Sequence, residues 1–141
     1  MPTEAMIEDG MLHRIREMRD IDFAQQQVYV SGKRIDIIYK TKESDDLTAI
    51  EVKIRDWKSA LRQANLNKFA VSYSYVAIWR EFAKPVMDNI ESFAQLGVGV
   101  IVIDNDYSMS TLLKAYTPSV SLSESYQLNL RSSLIGATVI A

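Results

Sequence analysis

Hydrophobic positions recur at two periods along this chain, and the changes of period mark its elements. Met11, Leu12, Ile15 and Met18 recur at helical spacing, predicting a helix over residues 3–18 with Thr3 placed to cap its start. After Asp20 the pattern shortens. The segment IDFAQQQVYV mixes β-branched and aromatic residues with polar ones, as a half-wet strand does. Ser31-Gly32 is a turn signal, so RIDIIYK becomes the return strand of a hairpin. TKESDD supplies the next turn and LTAIEVKI a third strand. Asp56 is placed to cap a helix, WKSALRQANLNKF, and VSYSYVAIW reads as a fourth strand. A further helix near 81–95 ends before Gly97, a C-cap residue. GVGVIVID is then a strand, DNDYS a turn and TLLKAY a last strand.

The order α-β-β-β-α-β-α-β predicts α/β architecture, with a mixed β-sheet flanked by helices, in a single domain over residues 1–141. The tail from Thr117 is Ser-rich and weakly periodic until LIGATVIA. Residues 117–141 therefore read as a peripheral or partner-dependent extension.

Composition narrows the chemistry. A length of 141 residues suits one domain with a real core. The net charge of −2 carries no global basic signature, so any nucleic-acid contact must rest on a local patch. The absence of cysteine removes disulfides, thiolate metal sites and cysteine nucleophiles. His13 is the sole histidine, which excludes HExxH zinc hydrolysis, and its place beside Arg14 suggests a surface position. The acidic start MPTEAMIEDG is no signal peptide, and the longest apolar run, VGVIVI, falls far short of the ~20 residues that span a bilayer. The expectation is a soluble cytoplasmic protein without a membrane partner.

Three charges interrupt the best strand-formers. Side chains alternate along a strand, so Glu51 and Lys53 share one face while Ile50, Val52 and Ile54 share the other. Their Cα atoms lie ~6.6 Å apart, close enough for both heads to converge on one small ligand. Asp36 lies between Ile35 and Ile37, five residues before Thr41, and Glu51 lies five after Asp46. Pairing through the TKESDD turn would bring Asp36 beside Glu51. Two close carboxylates repel unless a cation sits between them, and hard oxygen ligands suit Mg²⁺. An adjacent lysine can position a water nucleophile or neutralise charge on a phosphate, as metal-assisted phosphodiester hydrolysis requires. The bland alternative is that these charges form only the solvated face of an antiparallel strand.

Asp36, a loop, Glu51-Val52-Lys53 and then a helix containing Gln63 resemble the PD-(D/E)xK, or restriction-endonuclease-like, nuclease superfamily, and most of all its small Holliday-junction-resolvase-like members. The resemblance spans about residues 4–104 through the α-β-β-β-α-β order of that family's core. It implies that Asp36 and Glu51 bind Mg²⁺ (Mn²⁺ as a substitute), with the Val52 carbonyl as a further ligand, and that Lys53 assists the attacking water. Ile35 stands where the family's proline would precede the aspartate. An acid in the first helix often completes such sites, and Glu4 or Glu8 could serve, with Glu8 favoured as closer to the packed stretch. Gln63 resembles the glutamine of a QxxxY motif, but Asn67 replaces the tyrosine.

Arg55, Lys58 and Arg62 form a basic stripe at i, i+3 and i+7, suited to phosphates if a metal site lies beside it and otherwise a solvated helix face. Lys33 and Arg34 would extend that patch. Other motifs fail. GVGV precedes a strand where a dinucleotide fingerprint follows one, and Asp104 and Asp106 lack the glycine and closing glutamate of a calcium loop. Tyr73, Tyr75, Trp79 and Phe82 read as core and core-edge aromatics. The expected function is metal-dependent cleavage of DNA, with a homodimer able to supply the two sites that cutting both strands commonly needs. The alternative is a catalytically inactive module of the same fold that binds nucleic acid or a protein partner.

Overall fold

Helix α1 (Glu4–Arg16) starts as its cap dictates. Thr3 is extended, and its hydroxyl accepts the Met6 amide at 3.2 Å. The helix stops short of Met18, whose side chain is left exposed. The computed structural model describes residues 1–116, so the extension expected over 117–141 lies outside the described residues.

Six strands follow: β1 (Ile21–Val30), β2 (Lys33–Thr41), β3 (Thr48–Lys53), β4 (Tyr73–Trp79), β5 (Gly99–Ile103) and β6 (Met109–Leu113). They form one mixed sheet in chain order. Pairing is antiparallel from β1 through β3, parallel from β3 through β5, and antiparallel again at β6. Parallel neighbours need crossovers, which are supplied by α2 (Trp57–Asn67) and by the short helices α3 (Lys84–Asp88) and α4 (Ile90–Leu96). The predicted α/β class, a mixed sheet flanked by helices, is what the chain adopts. Among the described residues no helix is long and apolar enough to cross a membrane.

Alternation splits the core. Ile50, Val52, Ala77, Trp79, Ile101 and Ile103 pack under α1 through Ile7, Met11, Leu12 and Ile15. Val76, Ile78, Val100 and Val102 pack on the other face against Ala60, Leu61 and Ala64 of α2 and Phe93 of α4. Asp56 caps α2 through the Ser59 amide at 3.2 Å, and Gly97 ends α4 in the left-handed region at φ 72°.

The single helix expected near 81–95 is in fact broken. A 3₁₀ turn covers Arg80–Phe82, Pro85 stands in the first turn of α3, and Asn89 (φ −119°, ψ 25°) separates α3 from α4. Proline lacks an amide donor and disfavours helical backbone before it, so the apolar period continued across a chain that could not.

Strict alternation also fails in β2. Ile37 joins the α1-side core, but Ile35 packs with Ile38, Ala49, Phe23 and Val28 in a third cluster, so Ile35 and Ile37 do not share a face. The departure coincides with an irregularity across the ladder. β1 pairs Gln26 with Ile37 and Val28 with Ile35, and Gln27 between them takes φ 56°. A left-handed residue inside a strand shifts the phase of side chains beyond it. The irregularity sits directly opposite Asp36.

Candidate active site

The site is built where β2 and β3 part. Their pairing covers Ile37↔Ile50, Ile38↔Ala49 and Tyr39↔Thr48, and β3 then continues beside β4 as far as Lys53. Beyond Ile37 the Asp36 carboxylate itself bridges the opening, with Oδ2 accepting the Val52 amide at 2.9 Å. Among the described residues its other oxygen, Oδ1, is buried without a hydrogen bond and has only the Arg34 guanidinium at 3.4 Å. Asp36 is 3% exposed and Glu51 2%. These are uncommonly dry positions for two carboxylates that oppose each other across one fork.

Electrostatics registers that proximity. Burial, and after it the charge of Asp36, pushes the Glu51 carboxyl up to about 7, against the pull of Asn67, Lys33 and Lys53. Asn67 Nδ2 donates to Glu51 Oε2 at 3.5 Å. Glu8, from α1, reaches the same region and accepts a hydrogen bond from Gln27 Nε2. Burial raises its carboxyl too, with Gln27 opposing and Asp36 reinforcing the shift. Of the two helix acids, Glu8 is buried and Glu4 is half-exposed.

A cleft of about 440 Å³ opens onto these groups. Asp36, Glu51, Val52, Lys53, Glu8, Glu4, Arg34 and Gln63 all line it, so the fold brings together most of the sequence-predicted set. Gln63 also offers its backbone carbonyl to Lys33 Nζ at 3.0 Å. The helical stripe is placed elsewhere. Arg55, Lys58 and Arg62 are exposed on and before α2 and do not line the cleft. Arg55 lies 4.6 Å over the Phe82 ring, Lys58 5.7 Å from the Trp57 ring, and Arg62 Nη2 bonds Ser59 Oγ at 3.4 Å.

Two cleft residues, Gln26 and Gln27, and the Glu51 partner Asn67 escaped sequence reasoning. Gln26 and Gln27 line the cleft at the β1 irregularity, and nothing in QQQ marks which residue turns left-handed. Asn67 does carry a signal, since it holds the place of the motif tyrosine, and it is the residue that touches Glu51. The acids rejected as a calcium loop have structural partners. Arg80 pairs with Asp104, and Asp106 binds Ser108 and Arg14.

The donor set can be tested against a divalent ion. Among the described residues no three His, Cys, Asp or Glu side chains converge on one point. Mg²⁺, however, usually keeps several waters and needs one or two carboxylates. Asp36 and Glu51 meet that requirement, and the unbonded Asp36 Oδ1 is the kind of buried lone-pair donor a cation would satisfy.

No protein-family model and no curated protein matches this chain. Among solved structures, a protein of unknown function from Silicibacter pomeroyi superposes with a TM-score of 0.67 at 10% identity, covering 98% of this chain and 90% of that one. SfsA from Pyrococcus furiosus, solved in complex with Ca²⁺, superposes with a TM-score of 0.41 at 7% identity. That match covers 82% of this chain and 62% of SfsA. The first of these is a likeness of fold.

Proposed function

We propose that this chain is a metal-dependent nuclease that hydrolyses phosphodiester bonds in DNA. One observation carries the reading: two buried carboxylates, Asp36 and Glu51, oppose each other in a strand fork with Lys53 in the same cleft. Asp36, Glu51 and the Val52 carbonyl would hold Mg²⁺, or Mn²⁺ in its place. Such an ion, when bound, supplies positive charge for phosphate oxygens and lowers the pKa of bound water.

The chain's own groups do the rest. Lys53 projects a flexible ammonium into the cleft, where it orients water and offsets charge growing on the phosphate. The Asp36–Val52 bond fixes one carboxylate and Asn67 holds the other, so both are oriented before substrate arrives. Glu8 is anchored by Gln27 on the α1 side of the cleft, placed to orient a water. Arg34 at the mouth contacts the DNA backbone, and Arg55, Lys58 and Arg62 extend that contact along α2. Two copies of the chain would present one site to each strand of a duplex.

A second reading has its own support. Arg34 already stands 3.4 Å from the one Asp36 oxygen left for an ion, as it would in an inactive module of this fold that binds nucleic acid or a protein partner. Cleavage assays separate the two. End-labelled linear, single-stranded and branched DNA are incubated with Mg²⁺ or Mn²⁺, with Lys53→Ala as control. Products from the wild type alone support the nuclease, and salt-sensitive binding without any product supports the module.

A further inference from the structure

We infer that a second concavity, on the α2 side of the carboxylate cleft, takes an unpaired nucleobase of a single-stranded nucleic acid. The inference rests on the nuclease reading and names the form of substrate.

The concavity, about 410 Å³, lies between the β1–β2 hairpin and the C-terminal end of α2. Val30, Ile35, Leu66 and Phe69 give it apolar walls, Ser31 adds a hydroxyl at the hairpin turn, and Lys33 and Asn67 are its other polar members. Those two residues also form the partition from the catalytic cleft. Asn67 bonds Glu51, and Lys33 bonds the Gln63 carbonyl, while Glu51 and Gln63 face the other way into the cleft. An occupant therefore sits across the Asn67 and Lys33 side chains from the carboxylates, on the neighbouring side of the same wall.

Chemistry selects the occupant. Phe69 is 54% exposed and Leu66 47%, although both are apolar, which leaves a ring and an aliphatic edge open for stacking. A base has an apolar face and stacks on such groups whatever its identity. Lys33 has three donors and, among the described residues, one is taken by Gln63, which leaves two for the adjoining phosphate. A base in a duplex would first have to be unpaired and unstacked, so a single strand fits at lower cost.

The test is anisotropy of fluorescein-labelled oligothymidine against wild type and Phe69→Ala, in EDTA at low salt. A parallel strand carrying one 2-aminopurine reports stacking. Phe69 is half in solvent, so its truncation should leave the thermal midpoint in place, and Leu66→Ala serves as a second variant. The expected result is about tenfold weaker single-strand binding for Phe69→Ala, loss of 2-aminopurine quenching, and duplex affinity within about twofold. Wild-type binding that Phe69→Ala and Leu66→Ala leave unchanged would overturn the groove while sparing the nuclease reading. No nucleic-acid binding by the wild type would overturn both. If the substitutions instead turn a dimer into a monomer with single-strand affinity intact, the groove is a protein interface and the inference fails.

Discussion

Replacing Glu51 with Gln should make the metal-free protein more stable. Glu51 is 2% exposed, and burial together with Asp36 moves its carboxyl from an ordinary 4.5 to about 7. The folded state therefore holds this proton more tightly than the unfolded chain does. Below pH 4.5 the group is protonated in both states and costs nothing. As pH rises through the window from 4.5 to about 7, the unfolded chain releases the proton first and stability falls. Above that window the full displacement corresponds to about 3 kcal/mol. Gln keeps the shape and can still accept from Asn67, but it cannot ionise. Thermal unfolding in EDTA at pH 8 should then show Glu51→Gln melting higher than wild type by on the order of 10 °C. The gap should close at pH 4.5. A variant no more stable than wild type at pH 8, or a gap that persists in acid, would refute the claim that burial beside Asp36 makes the ionised Glu51 destabilising.

Other substitutions separate the roles of neighbouring groups. Asp36→Ala leaves the buried Val52 amide without its acceptor and should cost about 1–3 kcal/mol in urea unfolding, whereas Asp36→Asn, which keeps an acceptor, should cost less. Arg34→Ala frees Asp36 Oδ1 and should tighten Mn²⁺ binding measured by calorimetry. Gly97→Ala should destabilise by about 1–2 kcal/mol, because φ is 72° there and a Cβ would meet the Tyr116 carbonyl at 2.9 Å.

Much of this site was legible because it follows local rules. Period-two alternation put Glu51 and Lys53 on one face of β3, and the turn-to-turn symmetry placed Asp36 opposite Glu51. Caps at Thr3, Asp56 and Gly97 followed from residue type. What stayed hidden depends on contacts between distant segments. Gln27 adopts a left-handed backbone without glycine or asparagine to announce it, opposite the stretch where Ile35 and Ile37 join different clusters, and both Gln26 and Gln27 line the cleft. Of the expected stripe only Lys58 and Arg62 lie on α2, since Asp56 caps the helix after Arg55, and the packing of Ala60, Leu61 and Ala64 turns those two to solvent. Asn67 looked like a missing tyrosine, and only the fold shows it against Glu51.

Calorimetric titration of Mn²⁺ into wild type and Asp36→Asn tests the fork most directly, since the variant retains an acceptor for Val52 and so keeps its fold. The expected result is a saturable site on the wild type that Asp36→Asn loses. Equal binding by the two proteins, or no binding by the wild type, would contradict a metal held between Asp36 and Glu51.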